Sequence, residues 1–286
     1  MKLHPVTYFP PATQQQFRIN RELIRGKPYE RYFNGALGLR DEVMPTLRAP
    51  MDLADALQFS DINQLLEPGY RRVETGYCEL PDGSAYTASL VPMPGCTAEM
   101  YSWWFWWHAV ESARYTLWYP YNHVAVKPLS PEMLTKPGLT DQQRYVGTTH
   151  HVDEYIGPEL LRVAIRFVDP SELGLDTSRF AQAGIVGHAC ARVGLRGTGV
   201  EGVSMVHLVR QVEGGLEQRS HYWIGHNPML RTPFGEVSLE KLSQLTGGTR
   251  KLAGARAGYE QLLHDQIEFT HLASFLPALH QEFAAP

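Results

Sequence analysis

The sequence predicts an α+β fold, a curved antiparallel sheet wrapped around a long C-terminal helix, with a small helical region at the N-terminus. Three observations carry that expectation. Apolar and polar residues alternate through a series of short segments in the middle of the chain, the period of strands with a buried face. At the end the period lengthens to that of a helix, with Tyr259, Leu262, Leu263, Ile267, Leu272 and Phe275 on one side between about Gly254 and Leu279. The order of elements leaves this last helix needing a concave apolar surface, which a curved sheet supplies together with an internal cavity.

Residues 1–69 are rich in Pro, Arg and short apolar clusters. A helical pattern occurs from Met51 to Gln58, and Pro68-Gly69 gives a turn signal. They are expected to form a small domain of their own, with residues 70–286 as the main unit. Alternation through Val73, Thr75 and Tyr77, a Pro81-Asp82-Gly83 turn and a second run from Ala85 to Val91 read as a β-hairpin. Between Pro94 and Tyr115 the spacing of Trp103, Trp106, Trp107 and Val110 against Glu111 and Arg114 fits a helix. Strand-like runs follow at 115–126, 144–156, 160–168, 184–193, 201–212 and 217–225, most of them separated by Gly, Pro or Asp turns.

With 286 residues and 43% hydrophobic content, the chain can build one large domain, or a core domain plus an appendage. A formal charge of −4, from 26 basic and 30 acidic residues without long runs, argues against nucleic acid and anionic membranes as partners. Cys78, Cys96 and Cys190 are too scattered for a thiolate metal site or a disulfide framework. The N-terminal residues lack an apolar signal region, and the apolar stretch from Trp103 to Trp107 is too short to span a membrane, so a soluble, cytoplasmic protein is expected.

On the last helix, His264 and Glu268 stand four residues apart, hence one turn apart on one face, where both can reach a single ion. An ordinary solvated pair has the same spacing. Both positions lie beside Leu263 and Ile267, on the border of the face that should look into the cavity. Further ligands would come from the sheet, where His123, His150, His151, His207 and His221 are candidates that spacing does not separate.

The segment Trp103-Trp-Phe-Trp-Trp-His-Ala-Val-Glu-Ser-Ala-Arg-Tyr115, followed by Leu-Trp-Tyr-Pro-Tyr-Asn-His123, resembles the signature region of the 2,4-diacetylphloroglucinol hydrolase family, which includes phloretin hydrolases. The similarity spans roughly residues 70 to 275. It implies a metal held by His123, by Glu154 in His150-His-Val-Asp-Glu-Tyr155, and by His264 and Glu268. It also implies zinc, although two His and two Glu suit manganese, iron or cobalt as well. The implied fold is the helix-grip of START-like proteins and the birch-pollen allergen, with a small N-terminal domain that helps form a homodimer.

The implied activity is hydrolysis of the carbon–carbon bond between an acyl group and a polyhydroxylated aromatic ring, releasing a carboxylic acid and a phenol. The resemblance places proton-donating and substrate-holding roles on Tyr115, His207 and Tyr222, all on expected strands facing the cavity. Val126 departs from the family pattern, in which an asparagine there touches the substrate, and this leaves the exact acyl phenol open. Two other readings stand beside this one: a non-catalytic carrier of a small hydrophobic ligand, and a purely structural metal. Trp103, Trp104, Trp106 and Trp107 read mainly as core. His108, Glu111, His150, His151 and Asp153 read as neighbours of the ligands or as decoys, with Asp153 unable to share a strand face with Glu154.

Overall fold

The structure, a computed structural model, describes residues 2–232, 234–246 and 253–284. The N-terminal part holds β1 (Leu3–Pro5), α1 (Pro11–Ile24) and β2 (Gly38–Arg40), with β1 and β2 paired antiparallel. Then come β3 (Gly76–Glu79), β4 (Ala85–Pro94), α2 (Ala98–Trp107), α3 (Ser112–Tyr115), β5 (His123–Pro128), α4 (Pro131–Thr135) and α5 (Asp141–Tyr145). The rest comprises β6 (Thr149–Ile156), β7 (Glu159–Phe167), β8 (Ile185–His188), β9 (Ala191–Leu195), β10 (Val200–Val212), β11 (Gly215–Thr232), β12 (Gly235–Ser238), α6 (Glu240–Thr246) and α7 (Gly254–Phe283).

Among the described residues ten strands form one antiparallel sheet in the order β3-β4-β11-β10-β9-β7-β6-β5, with β12 added to β11 and β8 to β10. This sheet grips α7, giving the α+β helix-grip architecture. Leu262, Phe269, Leu272, Leu276 and Leu279 of α7 are fully buried between the sheet and α2. Because side chains alternate across a strand, Met205, His207 and Tyr222 face α7 while Val206, Leu208 and Trp223 face the opposite side. That outer face is also buried, under Leu57, Ile62, Leu65 and Leu66 of the N-terminal region and Leu173 and Leu175. No described helix is long and apolar enough to cross a membrane.

Several sequence expectations shift in detail. Met51 to Gln58 forms only a short 3-10 turn at Leu53–Asp55, and the N-terminal helix is α1 instead. The buried stripe of α1 is Thr13, Gln16, Asn20 and Ile24, so hydrophobic periodicity cannot reveal it. The run at 115–126 is strand only from His123, and Tyr115 ends a helix rather than lying on a strand. The run at 144–156 begins inside α5, whose capping box of Thr140 and Gln143 favours helix, and turns into strand at Thr149. The run at 184–193 breaks at Ala189 and Cys190 into β8 and β9.

Candidate metal centre

Sheet register and helix phase bring His123, Glu154, His264 and Glu268 to one place. His123 on β5 pairs directly with Glu154 on β6, so both project from adjacent strands toward α7. His264 and Glu268 meet them from the facing side of α7. His123 Nε2 lies 3.2 Å from Glu268 Oε2 and 3.7 Å from Glu154 Oε2, and His264 Nε2 lies 3.5 Å from Glu268 Oε2. One ligand atom each from His123, His264 and Glu268 falls within 4.8 Å of the others, a group that could hold a metal ion. Glu154 stands at its edge, its Oε2 taking a hydrogen bond of 2.5 Å from the Tyr115 hydroxyl.

His123 is held on three sides. Its Nδ1–H donates to the Tyr115 carbonyl at 3.1 Å, and the Tyr115 ring stacks on the imidazole at 3.9 Å between centroids. From α1, Asn20 Nδ2 donates to the carbonyls of Pro120 and His123, both at 2.8 Å. With Nδ1 engaged, Nε2 presents its lone pair to the carboxylates, and this buried atom has no hydrogen-bond partner. Burial pushes the His123 imidazole well below its usual pKa, with His264 adding to the effect, and pushes Glu268 well above the carboxylate range, with Asp265 and Glu154 adding. Neutral imidazoles and acidic side chains therefore converge, while no lysine or arginine lines the cavity among the described residues. That donor set fits a divalent cation with nitrogen and oxygen preference.

Glu154, His264 and Glu268 form part of the wall of a cavity of about 290 Å³ between sheet and α7, with His123 behind them. Tyr115, His207 and Tyr222 all line it. The Tyr222 hydroxyl donates to Asp265 Oδ2 at 2.7 Å and lies 3.4 Å from His207 Nε2. Ser89 Oγ donates to the other oxygen of Asp265, and Gln266 Nε2 donates to Ser89 Oγ at 2.8 Å. His207 Nδ1 lies 2.9 Å from Ser220 Oγ, which itself accepts from Gln218 Nε2 at 2.9 Å. Gln218 Nε2 also donates to His207 Nδ1 at 3.2 Å, so Nδ1 accepts and the Nε2–H of His207 faces Tyr222. Burial raises Tyr115 and Tyr222 well above the usual phenol pKa, so both remain donors, and lowers His207 to about 3, so it is neutral. Burial raises Asp265 to about 6 against the hydrogen bonds from Ser89 and Tyr222, which lower it.

Asp265 is the residue that the sequence reading overlooks. Its position between His264 and Gln266 hides it, because one ridge of α7 faces the ligands while the next faces Ser89 on β4; burial of the helix on both ridges was the missing information. Of the neighbours, Asp153 pairs with Arg196 at 2.7 Å on the other face of β6, and Glu111 pairs with Lys27 at 2.8 Å away from the cavity. His108 and His150 do line the cavity, whereas His151 does not. None of Trp103, Trp104, Trp106 and Trp107 lines it; Phe105 of the same helix does, with Trp118. Val126 is buried in the core opposite Val152 and is not part of the lining.

Fold and site define a helix-grip protein with a ligand cavity between sheet and helix and, beside it, side chains able to hold a metal ion. A model of the DAPG hydrolase PhiG domain matches residues 57–281. The chain belongs to the DAPG hydrolase family. It is 40% identical to 2,4-diacetylphloroglucinol hydrolases of a Pseudomonas species and of Pseudomonas protegens, over 99% of this chain and 97% and 93% of theirs. It is 27% identical to phloretin hydrolase of Eubacterium ramulus over 72% of this chain and 71% of that one. Among solved structures, Ara h 8.0201 matches at 13% identity and a TM-score of 0.29, over 62% of this chain and 97% of that one; the helix-grip assignment stands on the topology above.

Proposed function

We propose that this protein is a zinc-dependent hydrolase that cleaves the carbon–carbon bond between an acyl group and a polyhydroxylated ring of the phloroglucinol type. The observation that carries the reading is the convergence of buried His123, His264 and Glu268 with half-buried Glu154, without a compensating cation, beside phenol donors on one cavity. Relatives named as hydrolases of 2,4-diacetylphloroglucinol and phloretin support the substrate class. A carrier would not need such a costly group of unpaired polar atoms.

His123, Glu154, His264 and Glu268 would hold the ion. When bound, it supplies Lewis-acid polarisation of a ketone oxygen and lowers the pKa of water toward about 7. The protein supplies the rest. Tyr115 donates to Glu154 and, through its stacked ring and carbonyl, fixes the tautomer and orientation of His123. In the overall reaction the acyl carbon gains the oxygen of water and the ring carbon gains a proton as the bond between them breaks. Tyr222, kept protonated by burial and held between Asp265 and His207, would give that ring carbon its proton by turning its hydroxyl from Asp265 to the substrate. His207 Nε2–H would be a donor for a phenolic or acyl oxygen, while the Tyr115 hydroxyl acts through Glu154, to which it donates.

Within the same reading, residues 70–286 form the catalytic unit and residues 1–69 contribute to a homodimer, a role supported by the exposed Leu3, Tyr8, Ile19 and Leu23. The test of the activity is direct. Purified protein incubated with a panel of acylphloroglucinols should release the carboxylic acid and the deacylated phenol, and lose that activity on chelation. Release of no acid from any of them contradicts the substrate claim.

A further inference from the structure

The cavity has two unlike ends. Glu159, Glu260 and Gln261 reach solvent at one end, while Phe105, His108, His150 and Phe167 close the other. His108 and His150 are 4% and 1% exposed, line the cavity, and take no part in the ligand cluster or in the Tyr222 chain.

Proton accounting fixes what these imidazoles offer. His108 Nδ1 lies 2.7 Å from the Trp104 carbonyl, which can only accept, so Nδ1 carries the proton and Nε2 the lone pair. Thr148 Oγ1 donates its proton to the Tyr145 carbonyl at 2.6 Å, so at its 3.2 Å contact with His150 Nε2 it accepts. His150 therefore carries its proton on Nε2 and leaves Nδ1 bare. Burial lowers His108 to about 4 and His150 to about 3, which keeps both rings neutral near pH 7. Two imidazole acceptors thus remain without a protein hydrogen-bond donor at the closed end of the cavity.

The position of the pair relates it to the ligand cluster. His150 and Glu154 lie on the same face of β6, four residues or about 13 Å apart along the strand. A contact to the ketone at one end, a substituted ring, and a hydrogen bond at the other end together span a gap of that order. His108 in turn packs against the Tyr115 ring at 5.6 Å between centroids, and Tyr115 stacks on His123. A ligand with its ketone at the cluster and its ring directed inward brings its most distant ring substituent to the closed end.

We propose that His108 Nε2 and His150 Nδ1 form an acceptor subsite that takes the phenolic O–H farthest from the scissile ketone, and so selects rings with a hydroxyl para to the acyl group. This rests on the acylphloroglucinol reading above. In the opposite direction, toward the open end, the ligand's acyl group meets Ile156 and Leu161, which tolerate varied chains.

The test compares monoacetylphloroglucinol with its analogue lacking only the para hydroxyl, by calorimetric binding to the full chain with and without zinc, and by turnover. Wild type should bind the para-hydroxylated compound about tenfold more tightly. In His108→Phe/His150→Phe the two compounds should bind alike, with metal content unchanged. The Trp104 carbonyl keeps the His108 backbone N–H and Thr148 keeps Tyr145, so neither substitution strands a polar group. The single variants, each expected to narrow the preference, give the same reading if the double variant does not fold. Equal binding of both compounds by a wild type that cleaves them overturns the subsite and leaves the activity standing, as does a preference that survives in the variants. A wild type that neither binds nor cleaves either compound overturns the activity and the subsite together.

Discussion

The cluster of His123, Glu154, His264 and Glu268 and the chain running from Asp265 through Tyr222 to His207, Ser220 and Gln218 meet one cavity, the first through Glu154, His264 and Glu268 and the second through Tyr222 and His207, but only the second is joined by hydrogen bonds. In the first, ligand atoms approach to 3.2 Å with no hydrogen bond among the four residues, and His123 Nε2 is buried without a partner. One helix supplies both, through His264 and Asp265 on adjacent ridges of α7. The difference separates two tasks. A cluster left incomplete by the protein calls for an ion, whereas a chain completed by the protein, save Gln218 Oε1 at its far end, holds a phenol in place.

Breaking the incomplete cluster should have the largest effect. His123→Ala, Glu154→Ala, His264→Ala and Glu268→Ala should each lower bound metal, measured by elemental analysis, and take turnover to background, beyond the roughly 10–100-fold loss typical of residues that only support ligands. Full metal occupancy in all four variants contradicts the assignment. Breaking the completed chain should leave the metal in place. Tyr222→Phe should lower kcat by about 10²–10⁴-fold, the range for loss of a proton donor, with metal content unchanged. Asp265→Asn should cost less, about 10–100-fold in kcat, because the Tyr222 hydroxyl loses its orientation but not its proton.

The comparison also predicts a pH dependence. Burial raises the Glu268 carboxyl, so the metal-free protein takes up a proton there at a higher pH than a free carboxylate would. Protonation stabilises the metal-free form and competes with the ion, so metal affinity and the metal-dependent rise in Tm should shrink as pH falls from about 8 toward about 5. His123 and His264, lowered by burial, compete at lower pH than free imidazoles would. A rise in Tm that stays constant across that range contradicts this account. The smallest expected effect is Asn20→Ala, which frees the carbonyls of Pro120 and His123 and should lower unfolding stability by about 1–3 kcal/mol in denaturant titration.

How far each part was legible in the sequence follows from the same physics. The long helix could be read because Tyr259, Leu263 and Ile267, and then Leu272, Phe275 and Leu279, recur three or four residues apart, and the hairpin of β3 and β4 because Pro81-Asp82-Gly83 separates two runs of strand character. α1 could not, since its buried stripe is polar and is satisfied by carbonyls about 100 residues away in the chain. The convergence of His123 with His264 and Glu268 depends on strand register against a distant helix, which spacing alone does not encode; the family resemblance named the four residues. Asp265, His108 and His150 owe their significance to hydrogen-bond partners, visible only once the chain is folded.

The most direct test of the central claim is to measure metal and turnover together on protein purified without added metal, then chelated, then reloaded with zinc. The account predicts close to one ion per chain, loss of acylphloroglucinol cleavage in step with loss of the ion, and recovery on reloading. Undiminished cleavage by metal-free protein would contradict it.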